Sequence, residues 1–343
     1  MNQTNLFLMP DYFPTFSCKM GACRTVCCSG WQVSISLDNY FALLGTECSP
    51  ELRRKMDCAL KPVDYPDEGK YAVIHPNYFG NCPLRLEDGR CGVQAELGED
   101  ILPDICRLYP RGVRRHGDHY EISLANSCEA VPELFLHRDA PISFIEKEWS
   151  MKLPPMPAEE LGSWEERKVC LAKLQDRTLS LPCRLAYLGA KEAKNASKAT
   201  VGQVALMLQE LLSHSDSLEG YGETVLSVYE KNDYSDLKEK FAAFLPDHEN
   251  FFEHLMVNHA FFSRYPLAAH ITKEDRFAAL TVVYALVRFL AVCYTAQNQN
   301  ESALCDVVAA AFRLISHTEF DRSALYLLHK YLPETDPAEL TTL

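Results

Sequence analysis

The second half of the chain is written in a helical period. Between Thr200 and His214, Val204, Leu208, Leu211 and Leu212 fall on one face. That is the three-and-four spacing of an amphipathic helix. Between Asn250 and Tyr265, Phe251, Leu255, Asn258 and Phe262 form one stripe. Ser302–Ser316 and Arg322–Leu332 repeat the pattern, and a set of about seven helices is expected here. Phe277–Tyr294 is apolar almost throughout. Its length borders on that of a spanning helix, but Arg288 lies well inside it, and a mid-bilayer arginine is costly. A helix surrounded by other helices is therefore expected, with no membrane span.

The first half follows a different rhythm. Gln32–Ser36 and Tyr120–Leu124 alternate and predict short strands. Asp38 is placed to cap one helix, and Glu51–Leu60 predicts another. The remainder reads as loop. Met151-Lys-Leu-Pro-Pro-Met-Pro157 is a proline-rich break, since proline neither continues a helix nor pairs inside a sheet. The expected domains are 1–150 and 151–343. The expected fold is mainly α: a cysteine-rich, metal-binding N-terminal region with short strands, packed on a C-terminal helical bundle.

Composition adds modest limits. The 343 residues are 47 % hydrophobic, enough for two domains or one large one. A net charge of −13 argues against nonspecific nucleic-acid binding, which needs a positive footprint. It suits a cationic partner such as exposed lysines, and it also serves plain solubility.

Cysteine usage changes the picture most. Ten of the fourteen cysteines lie in the first 128 residues, and eight form a pattern: Cys18, Cys23, Cys27, Cys28, Cys82, Cys91, Cys106 and Cys128. Thiolates suit zinc, copper(I) or iron–sulfur clusters. A disulfide framework predicts a secreted chain, but Met1–Pro10 has neither a basic region nor an adequate apolar stretch, so a cytoplasmic protein is expected. Structural zinc favours CxxC-type pairs, and the spacings here are irregular. Iron–sulfur ligands vary widely in spacing, so a cluster is the favoured reading, with zinc as the alternative metal. One cluster is favoured, with Cys23, Cys27, Cys28, Cys82, Cys91 and Cys106 leading and Cys18 and Cys128 next. Cys48, Cys58, Cys170, Cys183, Cys293 and Cys305 fall outside the pattern and read as buried apolar residues.

Other motifs carry less. Arg107 and Arg111 flank Tyr109 beside Cys106. Arginine binds carboxylates bidentately, yet charge compensation near thiolates is expected on electrostatic grounds alone. Gly30-Trp31 reads as packing over the cysteine loop. His254 and Asn258 stand four apart on one helix face, a spacing that suits an interior hydrogen-bonding pair. Glu159-Glu160 and Glu165-Glu166 read as solvated helix faces. No Gly-rich dinucleotide loop, His-Glu-x-x-His zinc motif or nucleophile elbow is present. The triplet Cys-x3-Cys-x2-Cys is also absent, because Gly30 stands where its third thiol would follow Cys23 and Cys27.

Phe16-Ser-Cys-Lys-Met-Gly-Ala-Cys23-Arg-Thr-Val-Cys27-Cys28-Ser-Gly-Trp31 resembles the opening signature of the flagellin lysine-N-methylase family. Asn81-Cys-Pro-Leu-Arg-Leu-Glu-Asp-Gly-Arg-Cys91, Cys106-Arg-Leu-Tyr-Pro-Arg111 and, more faintly, Ser127-Cys-Glu-Ala-Val-Pro-Glu-Leu134 and Glu253-His-Leu-Met-Val-Asn258 extend the resemblance. It implies methyl transfer from S-adenosylmethionine to flagellin lysines by an enzyme with a [4Fe-4S] cluster. If that cofactor binds, Arg107 or Arg111 would hold its carboxylate and Tyr109 would stack on adenine. A non-enzymatic module, stapled by zinc or a cluster and binding another protein, is the alternative.

Overall fold

The computed structural model describes residues 3–343 apart from 30, 117–118, 157, 159–163, 219 and 268–270. Gly30 and the Glu159-Glu160 pair therefore lie outside the described residues. The chain divides into two compact units. The first comprises Met1–Met9, Thr15–Ile122 and Ile145–Glu159, the second Pro10–Pro14, Ser123–Phe144 and Glu160–Leu343.

The first unit contains β1 (Gln3–Pro10), β2 (Val33–Ile35), α1 (Leu37–Gly45), α2 (Pro50–Ala59), β3 (Leu60–Pro62) and β4 (Ala72–Ile74). It continues with α3 (Gly92–Leu97), α4 (Asp104–Leu108), β5 (Arg111–His116), β6 (His119–Leu124) and β7 (Phe144–Met151). Two sheets result, ordered β5-β6-β1-β7 and β2-β4-β3. β1 runs parallel to β6, with Phe7 opposite Tyr120. β4 lies antiparallel to both neighbours, Val73 opposite Ser34 on one side and Lys61 on the other.

Of the expected strands, 32–36 shortens to β2 and 120–124 lies within β6. The segments expected to be loop are not all loop: β1, β5, β7 and the short α3 and α4 were not anticipated. The cap of α1 is Ser36 rather than Asp38: its Oγ accepts the Asn39 amide at 3.3 Å, while Asp38 sits in the first turn. A side-chain acceptor one position before the helix reaches the orphan amide that a residue already inside it cannot.

The core of this unit gathers Val33, Ile35, Leu43, Leu52, Met56, Leu60, Ile74, Leu84, Val93 and Leu102. Cys48, Cys82, Cys91 and Cys106 pack against its edge. Gly21 and Gly89 both adopt positive φ, at 103° and 89°. A Cβ on Gly89 would stand 2.7 Å from the Gly21 carbonyl oxygen. Only glycines let these two loop backbones approach so closely.

The second unit is helical. It contains α5 (Ala130–Phe135), α6 (Trp164–Leu174), α7 (Leu181–Leu188), α8 (Lys198–His214), α9 (Tyr221–Lys231) and α10 (Tyr234–Phe244). α11 (His248–Phe262), α12 (Lys273–Gln297), α13 (Glu301–Ser316) and α14 (Phe320–Tyr331) complete it. Nine α-helices follow residue 151 among the described residues, more than the seven expected. α12 is the hub, packed against α8, α9, α10, α13 and α14. It is long and apolar enough to cross a membrane, but 89 % of its most apolar window is buried inside the protein. Arg288, the residue that argued against a span, donates from Nε to the Leu343 carbonyl and lies over the Phe252 ring at 5.1 Å. Glu165 is exposed, whereas Glu166 pairs with Lys273. Of the cysteines outside the pattern, Cys293 and Cys305 are buried, but Cys58 is exposed: it lies on the solvent side of α2, whose buried stripe is Leu52, Met56 and Ala59.

Candidate functional site: a thiol cluster and a buried polar line

Five of the eight pattern cysteines act on one another in the first unit. They come from three separate stretches of chain. Cys27 and Cys28 end a short loop, Cys82 follows an exposed turn, Cys91 is the N-cap of α3, and Cys106 lies within α4. The loops are stitched together by backbone. Ser29 bridges to Asn81, the Cys82 amide donates to the Cys28 carbonyl at 3.0 Å, and Ser29 Oγ donates to the Gly80 carbonyl at 3.2 Å. Trp31 Nε1 donates to the Cys27 carbonyl at 2.8 Å and the indole packs against the core. Trp31 thus has the packing role expected of it.

The thiols perturb one another's acidity. A hydrogen bond with Cys27 acts to lower the Cys28 pKa, but the hydrogen bond with Cys82, burial and the nearby Cys82 and Cys91 thiols raise it to about 11. The Cys82 thiol is held below its usual value, first by its hydrogen bond with Cys28. Burial raises Cys91, against hydrogen bonds from the Gln94 and Val93 amides that favour the thiolate. Burial raises Cys106 strongly, assisted by Cys91, Cys27 and Cys28. Buried thiols this close resist ionising together, and only a cation among them would reverse that. Among the described residues no group of three or more His, Cys, Asp or Glu is arranged to hold a metal ion. The donor set is nonetheless chemically uniform: soft sulfur, the ligand type of zinc and iron–sulfur groups.

The remaining pattern cysteines are Cys18, Cys23 and Cys128. Cys18 is exposed, its Sγ accepting the Met20 amide at 3.4 Å, and Cys23 is half-buried on the same loop. Cys128 belongs to the second unit, at the turn before α5.

The two arginines beside Cys106 differ. Arg107 is buried and its fork is taken: it donates to the Asp104 carboxylate and to the Lys152 carbonyl. Arg111 is half-buried, lies over the Phe16 ring at 5.5 Å and makes a long 3.4 Å contact with the Arg107 carbonyl. Phe16 opens the first cysteine motif, but its pairing with Arg111 was not read from sequence. Tyr109 is half-buried between them in the chain.

In the second unit, α11 buries an unusual run of polar side chains: Glu253, His254, Asn258 and His259. Glu253 accepts from Arg184 and from Arg177, the latter at 2.8 Å. His254 Nε2 stands 3.0 Å from the Ala140 carbonyl. Asn258 Oδ1 accepts from the Tyr12 hydroxyl, and its Nδ2 donates to the Leu124 carbonyl at 2.8 Å and to Asn126 Oδ1 at 2.6 Å. His254 and Asn258 share a face, yet each bonds to other partners rather than forming a pair. Tyr12 and Asn126 were missed by sequence reading. The one available signal was the position of Asn126 just ahead of the Ser127-Cys128 motif.

The helical unit carries the likeness to known proteins. Residues 191–342 match the model of the FliB lysine N-methylase C-terminal domain. The chain is 28 % identical over 141 residues to a lysine-N-methylase of Salmonella typhimurium, a match covering 40 % of this chain and 34 % of that protein. The lysine-N-methylase of Salmonella choleraesuis matches to the same extent. The flagellar biosynthetic protein FliU of Salmonella muenchen is 28 % identical over 131 residues, 37 % of this chain and 75 % of FliU. The chain thus spans about a third of the length of the lysine-N-methylases it matches. No solved structure matches. The helical part of the chain is thus similar to the FliB lysine N-methylase C-terminal domain.

Proposed function

We propose that this protein is an S-adenosylmethionine-dependent protein lysine N-methyltransferase that carries an iron–sulfur cluster and acts on flagellin. The observation that carries the reading is the meeting of Cys27, Cys28, Cys82, Cys91 and Cys106 in one unit, in a chain whose other unit matches the FliB lysine N-methylase C-terminal domain model. Those five thiols are the leading ligands, with Cys18 and Cys23 of the same unit available to complete the set. The cluster would supply soft, redox-active iron beside the cofactor.

The chain's own residues would bind and orient. Arg107 is committed to Asp104 and Lys152, so Arg111 takes the role of holding the cofactor carboxylate, and Tyr109 that of stacking on its adenine. The accepting lysine must be neutral when its Nζ meets the methyl group. A free lysine has a pKa of about 10.4, and burial or nearby positive charge lowers it.

The test has two arms. The full chain is prepared under strict anaerobiosis and assayed for iron and acid-labile sulfide. It is then incubated with S-adenosylmethionine and monomeric flagellin, and the flagellin lysines are mapped by mass spectrometry. Iron with matching sulfide and methylated lysines are expected. A colourless protein with stoichiometric zinc would sink the cluster. A metal-loaded protein that binds no S-adenosylmethionine would favour the non-enzymatic module.

A further inference from the structure

We propose that the outward face of α1 is a docking surface for a lysine-bearing, amphipathic segment of a protein partner. Its use in holding a methyl-accepting substrate rests on the methyltransferase reading above; the recognition itself does not.

α1 is apolar on two sides. Leu43 alone of its residues is buried, and it belongs to the core of the first unit. Leu37, Tyr40, Phe41 and Leu44 fall at the spacing of a second helix face, and on it Phe41 is 57 % and Leu44 38 % exposed. Single exposed apolar residues are ordinary, but a contiguous patch marks an interaction site. This patch has a built base. Tyr40 and Tyr71 pack against the core, with ring centres 5.0 Å apart. The Phe41 ring lies on both, 5.5 Å from Tyr40 and 5.9 Å from Tyr71. Backbone bonds hold Tyr71 in place: its amide donates to the Ile35 carbonyl at 2.8 Å, and its carbonyl accepts the Val63 amide at 3.1 Å. The aromatic platform is therefore set before anything lands on it, which lowers the ordering cost of binding.

Charge selects the occupant. The stretches 36–47 and 64–70 carry five carboxylates, Asp38, Glu47, Asp64, Asp67 and Glu68, against one cation, Lys70, and all six are exposed. The second stretch is tied to the start of α1, where the Leu37 amide donates to the Glu68 carbonyl at 2.9 Å. Asp67 spends one oxygen on the Gly69 and Lys70 amides. Asp38 and Glu68 thus stand at one end of α1, and Glu47 follows the other. A second copy of this chain would set these carboxylates against their own images across a two-fold axis. An anionic lipid surface would meet the same repulsion. A lysine-bearing segment fits: its apolar side chains cover Phe41 and Leu44, its lysine stems lie along the rings, and its ammonium groups reach an aromatic face or a carboxylate.

The test uses the full chain and a fluorescein-labelled helical peptide of leucine, alanine and lysine, with a matched peptide carrying glutamate in place of lysine. Fluorescence anisotropy reads binding. The lysine peptide should bind, less tightly as salt is added, and the glutamate peptide should not. Phe41→Ala should weaken binding about tenfold. The double change Glu47→Lys with Glu68→Lys should weaken it at least as much and flatten the salt dependence. Leu206→Ala, at a part-exposed apolar position on α8, should bind as the parent chain does. Equal affinity of the parent and Phe41→Ala, or of the two peptides, would overturn the proposal. So would self-association, or adsorption to phosphatidylserine vesicles, that Phe41→Ala abolishes in a chain that ignores the lysine peptide. With flagellin as substrate, Phe41→Ala should raise KM about tenfold and leave kcat unchanged; an unaltered KM would overturn the part in substrate capture. Peptide recognition by a chain that methylates nothing would leave the docking surface standing and remove the methyltransferase reading.

Discussion

Cys28 and Cys82 are joined twice: the Cys82 amide donates to the Cys28 carbonyl at 3.0 Å, and their thiols share a hydrogen bond. The bond splits their acidities, lowering Cys82 while Cys28 ends well above an ordinary thiol. Fifty-odd residues of chain separate them, so this contact is the hinge on which the other thiols gather. If both are ligands, Cys28→Ser and Cys82→Ser should each strip most of the iron and lower the denaturation midpoint, since metal binding is folding free energy. Iron analysis with thermal denaturation of anaerobic protein checks this. Retained iron in both variants would exclude the pair as ligands.

The two arginines near Cys106 should respond differently to truncation. Arg111→Ala should weaken S-adenosylmethionine binding by about ten- to hundredfold, the worth of a charge-assisted hydrogen bond, with iron content unchanged. Arg107→Ala should instead cost about 1–3 kcal/mol of stability, because it strands the Asp104 carboxylate and the Lys152 carbonyl. Calorimetric titration reads the first and urea denaturation the second. A reversed pattern would reassign the roles.

Glu253→Ala should be among the most destabilising single changes in the helical unit. Glu253 is fully buried, and Arg184 beside it is 2 % exposed, so truncation leaves an uncompensated buried charge worth about 3–5 kcal/mol. Urea titration of the helical signal provides the measurement. A loss below that of an ordinary surface substitution would show that the charge finds water.

Stability should fall as the solution is acidified below about pH 6.5, the usual imidazole pKa. Burial pushes His254 down to about 4 and His259 to about 3. Both are neutral when folded and charged when unfolded across that window, so the unfolded state takes up more protons as pH falls. Each contributes full stability above about pH 6.5 and loses about 2 kcal/mol of it by pH 5. Replacing His259 with the similarly shaped but uncharged Asn or Phe should flatten the pH profile of the denaturation midpoint. An unchanged slope would refute the assignment.

α8, α11, α13 and α14 were legible because each carries its own apolar stripe, whereas α9 and α10 were not singled out. α8 begins two residues ahead of the expected Thr200 and α11 two ahead of Asn250, both within the ordinary uncertainty of helix ends. β1 was not legible. Its partners are distant in sequence, and the alternation of buried Phe7 and Met9 in a segment of eight residues looks like any short apolar stretch. β5, Arg-Gly-Val-Arg-Arg-His, has no strand composition at all and becomes a strand only because β6 offers an edge. For the site, the cysteine pattern held the five interacting thiols among eight candidates, with Cys23 ranked beside them, but could not separate Cys128, which lies in the other unit, or assign Arg107 to Asp104. Those outcomes depend on tertiary packing that spacing does not encode.

The parallel pairing of β1 with β6 has a consequence for biosynthesis. The first strand leaves the ribosome more than a hundred residues before Tyr120, the partner of Phe7. Pairing across such a separation carries a large loop-closure cost and forms late. During that interval Cys18, Cys23, Cys27, Cys28, Cys82, Cys91 and Cys106 have all been made while the four-stranded sheet is still open. The nascent chain therefore carries all seven of these pattern thiols before its four-stranded sheet can form.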